Sequence, residues 1–297
     1  MTVLMQVLTL FVLMFCGLLA VKSKLMDDRG VSVLNTFVLN FALVGLIIST
    51  MQQDASPELV TELAWTFLLA CVIMTVSGLI ASRVFVRESH DRHAVLTNLC
   101  AISNCAYMGY PVITAALGEG ALIYAAVYSA AFNLICWTMC AYFFGGRSAA
   151  SPAKLLRNPS LIAVFVGLAL FLTGWRLPPF VNSALTGLGN TTTPLAMFVI
   201  GARLISLRPA HLKDRSILLA CLLRLVIIPL ALVLVLRLTP LSDTVSNALF
   251  LCTAMPCAST TAMQADLFEC DKELASRGVA LSTALSLTTI PVMLMLI

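Results

Sequence analysis

Ten apolar runs follow one another along the chain with only short polar loops between them. They fall at about 2–21, 31–51, 63–82, 94–117, 121–144, 160–174, 180–202, 216–236, 244–265 and 276–297. A helix needs about 20 mainly apolar residues to cross a bilayer, and nearly every run has that length. The sixth is the shortest, ending at the Gly174-Trp175-Arg176-Leu177-Pro178-Pro179 turn. Of the 297 residues, 60% are hydrophobic and 11% charged, where soluble domains run at about 45–50% and 25%. A soluble chain of this size could not cover that much apolar surface. The expected fold class is an all-α polytopic membrane protein with ten transmembrane helices. No Lys or Arg precedes Lys22, so the first run lacks the basic start of a cleaved signal peptide and is expected to be a retained helix.

Ten cysteines are present, and all but Cys270 lie inside apolar runs. There is no Cys-x-x-Cys pair, and His90, His93 and His211 fall in loops. A metal site and a cofactor are therefore not expected, and Cys serves as a small packing residue. The net charge of +4 is no nucleic-acid footprint, because the basic residues alternate with topology. Loops after odd-numbered runs hold Lys22, Lys24, Arg29; Arg83, Arg87, Arg92; Arg147, Lys154, Arg157; Arg203, Arg208, Lys213, Arg215; and Lys272 and Arg277. Those are fifteen of the eighteen basic residues. The positive-inside rule puts them in the cytoplasm and both termini outside, in the cytoplasmic (inner) membrane.

Two echoes suggest repeats. Leu68-Leu69-Ala70-Cys71 recurs as Leu218-Leu219-Ala220-Cys221, and the pair Cys100 and Cys105 recurs as Cys252 and Cys257 at nearly the same offset. Together they align runs one to five with six to ten. An odd number of spans per half inserts the second half upside down, giving two inverted five-helix repeats, 1–144 and 160–297, joined by a connector at 145–159.

Corresponding runs four and nine both contain polar, helix-breaking interruptions. In run four it is Ser103-Asn104-Cys105-Ala106-Tyr107-Met108-Gly109-Tyr110-Pro111, and in run nine Ala254-Met255-Pro256-Cys257-Ala258-Ser259-Thr260-Thr261. Such breaks are tolerated where protein or a watery cavity surrounds them, and paired breaks point to a transporter's binding site. The second half of each broken helix begins near the midplane with free N–H groups and a positive dipole end, which suits a carboxylate. The candidate substrate residues here are Ser103, Asn104, Cys105, Gly109, Pro111, Met255, Pro256, Cys257 and Ala258. For one span the alternative is an ordinary proline kink; two matched spans favour the site.

Other polar residues inside spans stay open between cavity lining and helix–helix hydrogen bonding. They are Asn35 and Asn40 in span two, Asn133 in span five, and Asn190-Thr191-Thr192-Thr193-Pro194, read as opening span seven. Asn40 and Asn133 join the candidate substrate residues, and Thr191 and Thr260 are candidates for ion coupling. Arg224 is the one full charge well inside a span, where it either meets substrate or snorkels to the cytoplasmic face.

The sequence resembles the auxin efflux carrier family, whose bacterial members include malonate and malate permeases. Asn104 through Met108-Gly109-Tyr110-Pro111 resembles that family's fourth span, and Arg157-Asn158-Pro159 the start of its sixth. Pro194-Leu195-Ala196-Met197 with Gly201, Arg224 with Pro229, Ala254-Met255-Pro256, and Glu273-Leu274-Ala275-Ser276 leading into Ser282-Thr283 and Pro291 resemble the seventh, eighth, ninth and last. The resemblance implies a scaffold domain, a transport domain, and helices four and nine crossing around a carboxylate. Ser103 stands where many relatives have the crossover proline, and Asn40 where many have a proline in span two. The long central loop of the plant carriers is absent.

The expected function is a secondary carrier of small organic anions, mono- or dicarboxylates, by alternating access. A sodium-coupled symporter resembling the bile acid carriers, a channel and a non-transporting receptor are the alternatives. An enzyme is not expected, because no span carries His or a central carboxylate pair. Expected partners are the anion, a coupling proton or sodium ion, and membrane lipid, with a homodimer left open and no nucleic acid.

Overall fold

The computed structural model describes residues 3–146, 159–206, 214–239 and 241–296; Arg157, Asn158 and most of the 145–159 connector lie outside them. The described chain is built from helices: α1 (Val3–Lys22), α2 (Asp28–Phe37), α3 (Leu43–Thr50), α4 (Pro57–Val84), α5 (His90–Ala101), α6 (Tyr110–Leu117), α7 (Leu122–Ile135) and α8 (Ala141–Gly145). The second part adds α9 (Pro159–Thr173), α10 (Pro179–Asn190), α11 (Thr192–Arg203), α12 (Arg215–Leu222), α13 (Ile228–Leu236), α14 (Asp243–Ala254), α15 (Thr260–Leu267) and α16 (Lys272–Met293).

Polar loop residues set the helix starts. Asp27, Ser56, Asp214 and Asp271 each accept a backbone N–H from the first turn that follows, satisfying groups a helix cannot pair by itself. Four helices continue through a π-helical turn, at Val38–Ala42, Cys105–Gly109, Cys136–Cys140 and Leu223–Ile227. Five stretches are long and apolar enough to cross a membrane without interruption: Asp28–Thr50, Pro57–Val84, Glu119–Gly145, Arg215–Leu236 and Lys272–Leu296. The sequence runs four, seven and nine are each divided in two, so neither half reaches that length alone. Asn190 to Pro194 lie at the junction of α10 and α11, where α11 begins.

The helices fall into two packed sets. In one, α1 lies along α11, and α3 lies against α9 and α10; in the other, α4 packs on α5 and α7, and α12 and α16 pack on α5. The first set is held by close backbone crossings. A Cβ on Gly17 would lie 1.9 Å from the Phe198 carbonyl oxygen, and one on Gly201 would lie 1.7 Å from that of Met14. Small residues that let backbones approach are a principal means of joining helices in lipid, where apolar side chains gain little by leaving the solvent.

At one end of the second set, Arg92 bonds Glu88 at 2.9 Å and Asp214 at 3.0 Å, tying the start of α5 to that of α12. Hydrogen bonds from Ser216 and Arg92 hold the Glu88 carboxyl below its ordinary value. Whatever this link contributes is present at neutral pH and is lost as acid protonates the carboxylate.

Gly201→Ala should lower the melting temperature of the purified protein clearly, because the clash is with backbone and overpacking costs about 1–3 kcal/mol. Gly187→Ala in α10, where a Cβ meets open space, should be neutral or slightly stabilising. Equal effects at both positions would show that the α1–α11 crossing does not depend on close approach.

Candidate functional site

The two interruptions meet. Helix α5 stops at Ala101, Ile102 turns extended, and the chain resumes as a helix after Asn104. Helix α14 stops at Ala254, Met255 is extended, and α15 begins after Ser259. The extended pieces pair as a short antiparallel bridge between Ser103 and Cys257. Asn104 N–H donates to the Pro256 carbonyl at 2.8 Å, and Ala258 N–H to that of Ile102 at 3.3 Å. Each break thus supplies the partner the other lacks, which answers the cost of bare backbone in hydrocarbon.

Side chains complete the joint. Ser103 Oγ donates to the Cys252 carbonyl at 2.7 Å, and Ser282 Oγ accepts the Cys257 N–H at 3.2 Å. Arg224 is 1% exposed, and its guanidinium donates to the carbonyls of Cys100 at 2.9 Å, Met255 at 3.3 Å and Thr253. Those oxygens end α5 and α14, the carbonyl termini that carry negative partial charge. The sequence left Arg224 between substrate contact and snorkelling; the structure buries it at the crossing. The π-helical turn at Leu223–Ile227 carries it inward, and its donors are engaged by backbone at the crossing.

A cavity of about 380 Å³ opens beside the crossing. Its inner end holds Asn104 and Ser259, the cap residues of the two second halves, with Tyr107 and Thr283 nearby. Its outer end reaches Asp28 and Arg203, where α2 begins and α11 ends. One wall comes from each packed set: α2 and α11 on one side, and α15, α16 and the turn after Asn104 on the other. Tyr107 is 7% exposed, and its hydroxyl has no hydrogen-bond partner among the described residues. A buried phenol of that kind calls for a ligand or solvent acceptor. Among the described residues no group of three His, Cys, Asp or Glu is placed to hold a metal.

Of the residues singled out from sequence, Asn104 lines this cavity. Ser103, Cys105, Gly109, Pro111, Met255, Pro256, Cys257 and Ala258 build the crossing behind it rather than its surface. Gly109 lies under Met255, where an added Cβ would meet Cγ at 3.5 Å, and Cys105 Sγ meets Ser129 Oγ at 3.7 Å. Asn35 lines the outer part, whereas Asn40 is exposed on another face and donates to the Thr36 carbonyl one turn back. Asn133 is buried in α7 and donates to the Ser129 carbonyl. Thr191 donates to the Leu188 carbonyl, and neither it nor Thr260 is among the cavity's lining residues. Ser259, Tyr107, Thr283, Asp28 and Arg203 were not read as binding residues. A serine three positions after a crossover proline and just before Thr260-Thr261 was an available helix-start signal for Ser259.

Comparison with known proteins gives the family. The family model described as "Membrane transport protein" matches residues 2–154 and 148–294. The chain belongs to this family of membrane transporters. It is 23% identical to an "Uncharacterized transporter" of Methanocaldococcus jannaschii, covering 96% of this chain and 95% of that one. A second protein of that name, from Methanothermobacter thermautotrophicus, is 27% identical over the same shares. A "Putative malonate transporter" of Rhizobium meliloti is 25% identical over 98% of this chain and 94% of its own. These names and the family describe a multi-pass membrane transporter and no enzyme.

Arg224→Met should destabilise the protein strongly, since orphaned carbonyls cost about 1–3 kcal/mol each. Arg224→Lys should recover part of the loss, because one ammonium cannot reproduce the guanidinium's spread of donors. A melting temperature unchanged in Arg224→Met would show that the crossing stands without its clamp.

Proposed function

We propose that this transporter carries small organic anions, mono- or dicarboxylates, by alternating access. Its ten spans form two inverted five-helix repeats, 1–144 and 160–297, with a connector at 145–159. In this reading α1–α3 and α9–α11 are the scaffold, and the set built on the crossing is the part that moves. The observation that carries it is the cavity between the two sets, which ends at Asn104 and Ser259. Two helix N-termini there offer N–H groups and positive dipole ends to a carboxylate. The Asn104 amide, the Tyr107 hydroxyl and the Ser259 hydroxyl surround it with neutral groups, and Arg203 at the outer end supports a second carboxylate. The malonate in the name of the Rhizobium relative fits that pair of anchors.

In this reading the cavity's outer end faces the cytoplasmic side of the inner membrane, with both termini outside, which the positive-inside pattern of the basic loops supports. Labelling of single cysteines at positions 1 and 297 on a Cys-free background should occur from the extracytoplasmic side. Reaction from the cytoplasmic side alone would overturn the orientation and the inverted repeat with it.

Malonate counterflow into preloaded proteoliposomes should be accelerated by the protein and lost on removing internal substrate. A channel would conduct without preloading, and a receptor would bind without flux. Asn104→Ala should weaken apparent affinity about ten- to a hundredfold, the worth of roughly 1–3 kcal/mol of hydrogen bonding to a carboxylate. Arg203→Gln should penalise dicarboxylates more than monocarboxylates. Unchanged affinity in a well-folded Asn104→Ala protein would refute the binding site.

A further inference from the structure

Beside the anion cavity, on the far face of α15, three buried oxygens have no partner among the described residues. Asn98, Thr261 and Gln264 are completely buried, and Asn98 Oδ1, Thr261 Oγ1 and Gln264 Oε1 make no hydrogen bond there. Buried acceptors of this kind are uncommon and ask for a specific occupant. Both amides are held from their nitrogen ends. Gln264 Nε2 donates to the Cys136 carbonyl at 2.7 Å, and Asn98 Nδ2 to those of Ala94 at 2.9 Å and Cys140 at 3.4 Å. Cys136 and Cys140 bound one π-helical turn, so the anchors are about 6 Å apart along that helix. Thr261 precedes Gln264 by three residues on α15 and shares its face. Helix α15, which carries Thr261 and Gln264, packs on α5, which carries Asn98, and on α8, which begins just after Cys140.

We propose that these oxygens form a site for a dehydrated alkali-metal cation, sodium or potassium. The donor set decides the charge. It holds neutral amide, hydroxyl and carbonyl oxygens, whereas a divalent ion such as calcium draws on carboxylates. The buried cation of the crossing lies elsewhere. Arg224 approaches α5 from the α12 side, where Cys100 Sγ meets the Ala220 carbonyl at 3.7 Å; Asn98 faces Cys140 on the other side of α5. The site also differs from Thr191 and Thr260, the ion-coupling candidates read from sequence. Its position gives it a consequence: α15 presents Ser259 and Ala262 to the anion cavity and Thr261 and Gln264 to the ion. One two-turn helix therefore separates the two ligands, and the ion fixes the pose from which Ser259 meets the cavity.

The site stands independently of the anion reading and is tested without any organic anion. Purified protein is melted in sodium, potassium or choline chloride at one ionic strength. Sodium or potassium should raise the melting temperature by about 5 °C over choline at a hundredfold excess over Kd. Gln264→Met and Thr261→Val should abolish that rise. Thr261→Val should keep the melting temperature in choline at or above the parent's, because it removes an unsatisfied oxygen, whereas Gln264→Met also gives up the bond to the Cys136 carbonyl. Thr261→Val is nearly isosteric and keeps the test open if Gln264→Met folds poorly. A parent protein indifferent to alkali cations would overturn the site, with water as the remaining partner of these oxygens. Variants that respond as the parent does would overturn it equally.

Discussion

A helix that stops halfway across a membrane leaves carbonyls and N–H groups where no water can reach them. Two such stops occur here, and they are placed against each other. The antiparallel pairing of Ile102–Asn104 with Pro256–Ala258 satisfies part of the exposed backbone. Ser103, Ser282 and Arg224 satisfy more of it. The bridge and the bonds of Ser103 and of Arg224 to Cys100 join the first part of the chain to the second, so the crossing exists only once both have folded together. Its position also sets where the helices resume: Asn104 ends the bridge and precedes one of them, and Ser259, one residue past the bridge, precedes the other.

The remainder of the fold keeps that joint between two bodies. Close backbone approaches at Gly17 and Gly201 bind α1 to α11, and Gly45 and Gly189 do the same for α3 and α10. Such contacts are stiff: a crossing set by backbone distance has few alternative packings. Between the two sets the contacts are made by α1 with α6, α7 with α9, and α11 with the turn after Asn104. The cavity occupies this boundary, so a displacement of one set against the other would change its shape without unmaking the crossing.

What could be read in the sequence is what alters the backbone locally. Pro256 in one run and Gly109 with Pro111 in the other announced the interruptions, and the apolar runs announced an all-helical membrane protein. Residue direction was harder to read. Span position gives depth and not azimuth, so Arg224, Asn40, Asn133 and Thr191 all read as cavity candidates, yet three turn back to a carbonyl of their own helix and one clamps the crossing. The π-helical turns, including the one that carries Arg224 inward, left no proline or glycine mark at Leu223–Ile227. Tyr107 and Arg203 were hidden for the opposite reason: a tyrosine within an apolar run and an arginine at a span's end are ordinary in membrane helices, and only the tertiary arrangement puts both in one cavity.

On the proposed anion reading, the position of Arg224 also gives it an electrostatic part in the site. In each broken helix the carbonyl end of the first half stands only a few residues from the N–H end of the second. Left alone, the two ends carry opposite partial charges of about half a unit, and their fields largely cancel at any ligand placed beside the joint. The guanidinium takes the carbonyls of Cys100, Thr253 and Met255, all from the two first halves and none from the second. Two terminal charges of about −0.5 are thereby offset by one full positive charge. The N-termini at Asn104 and Ser259 are left unopposed, with a combined charge of about +1 facing the cavity. A carboxylate supplies what is missing. On this view the arginine acts on the substrate without touching it: by cancelling the wrong halves of two dipoles, it lets the other halves attract.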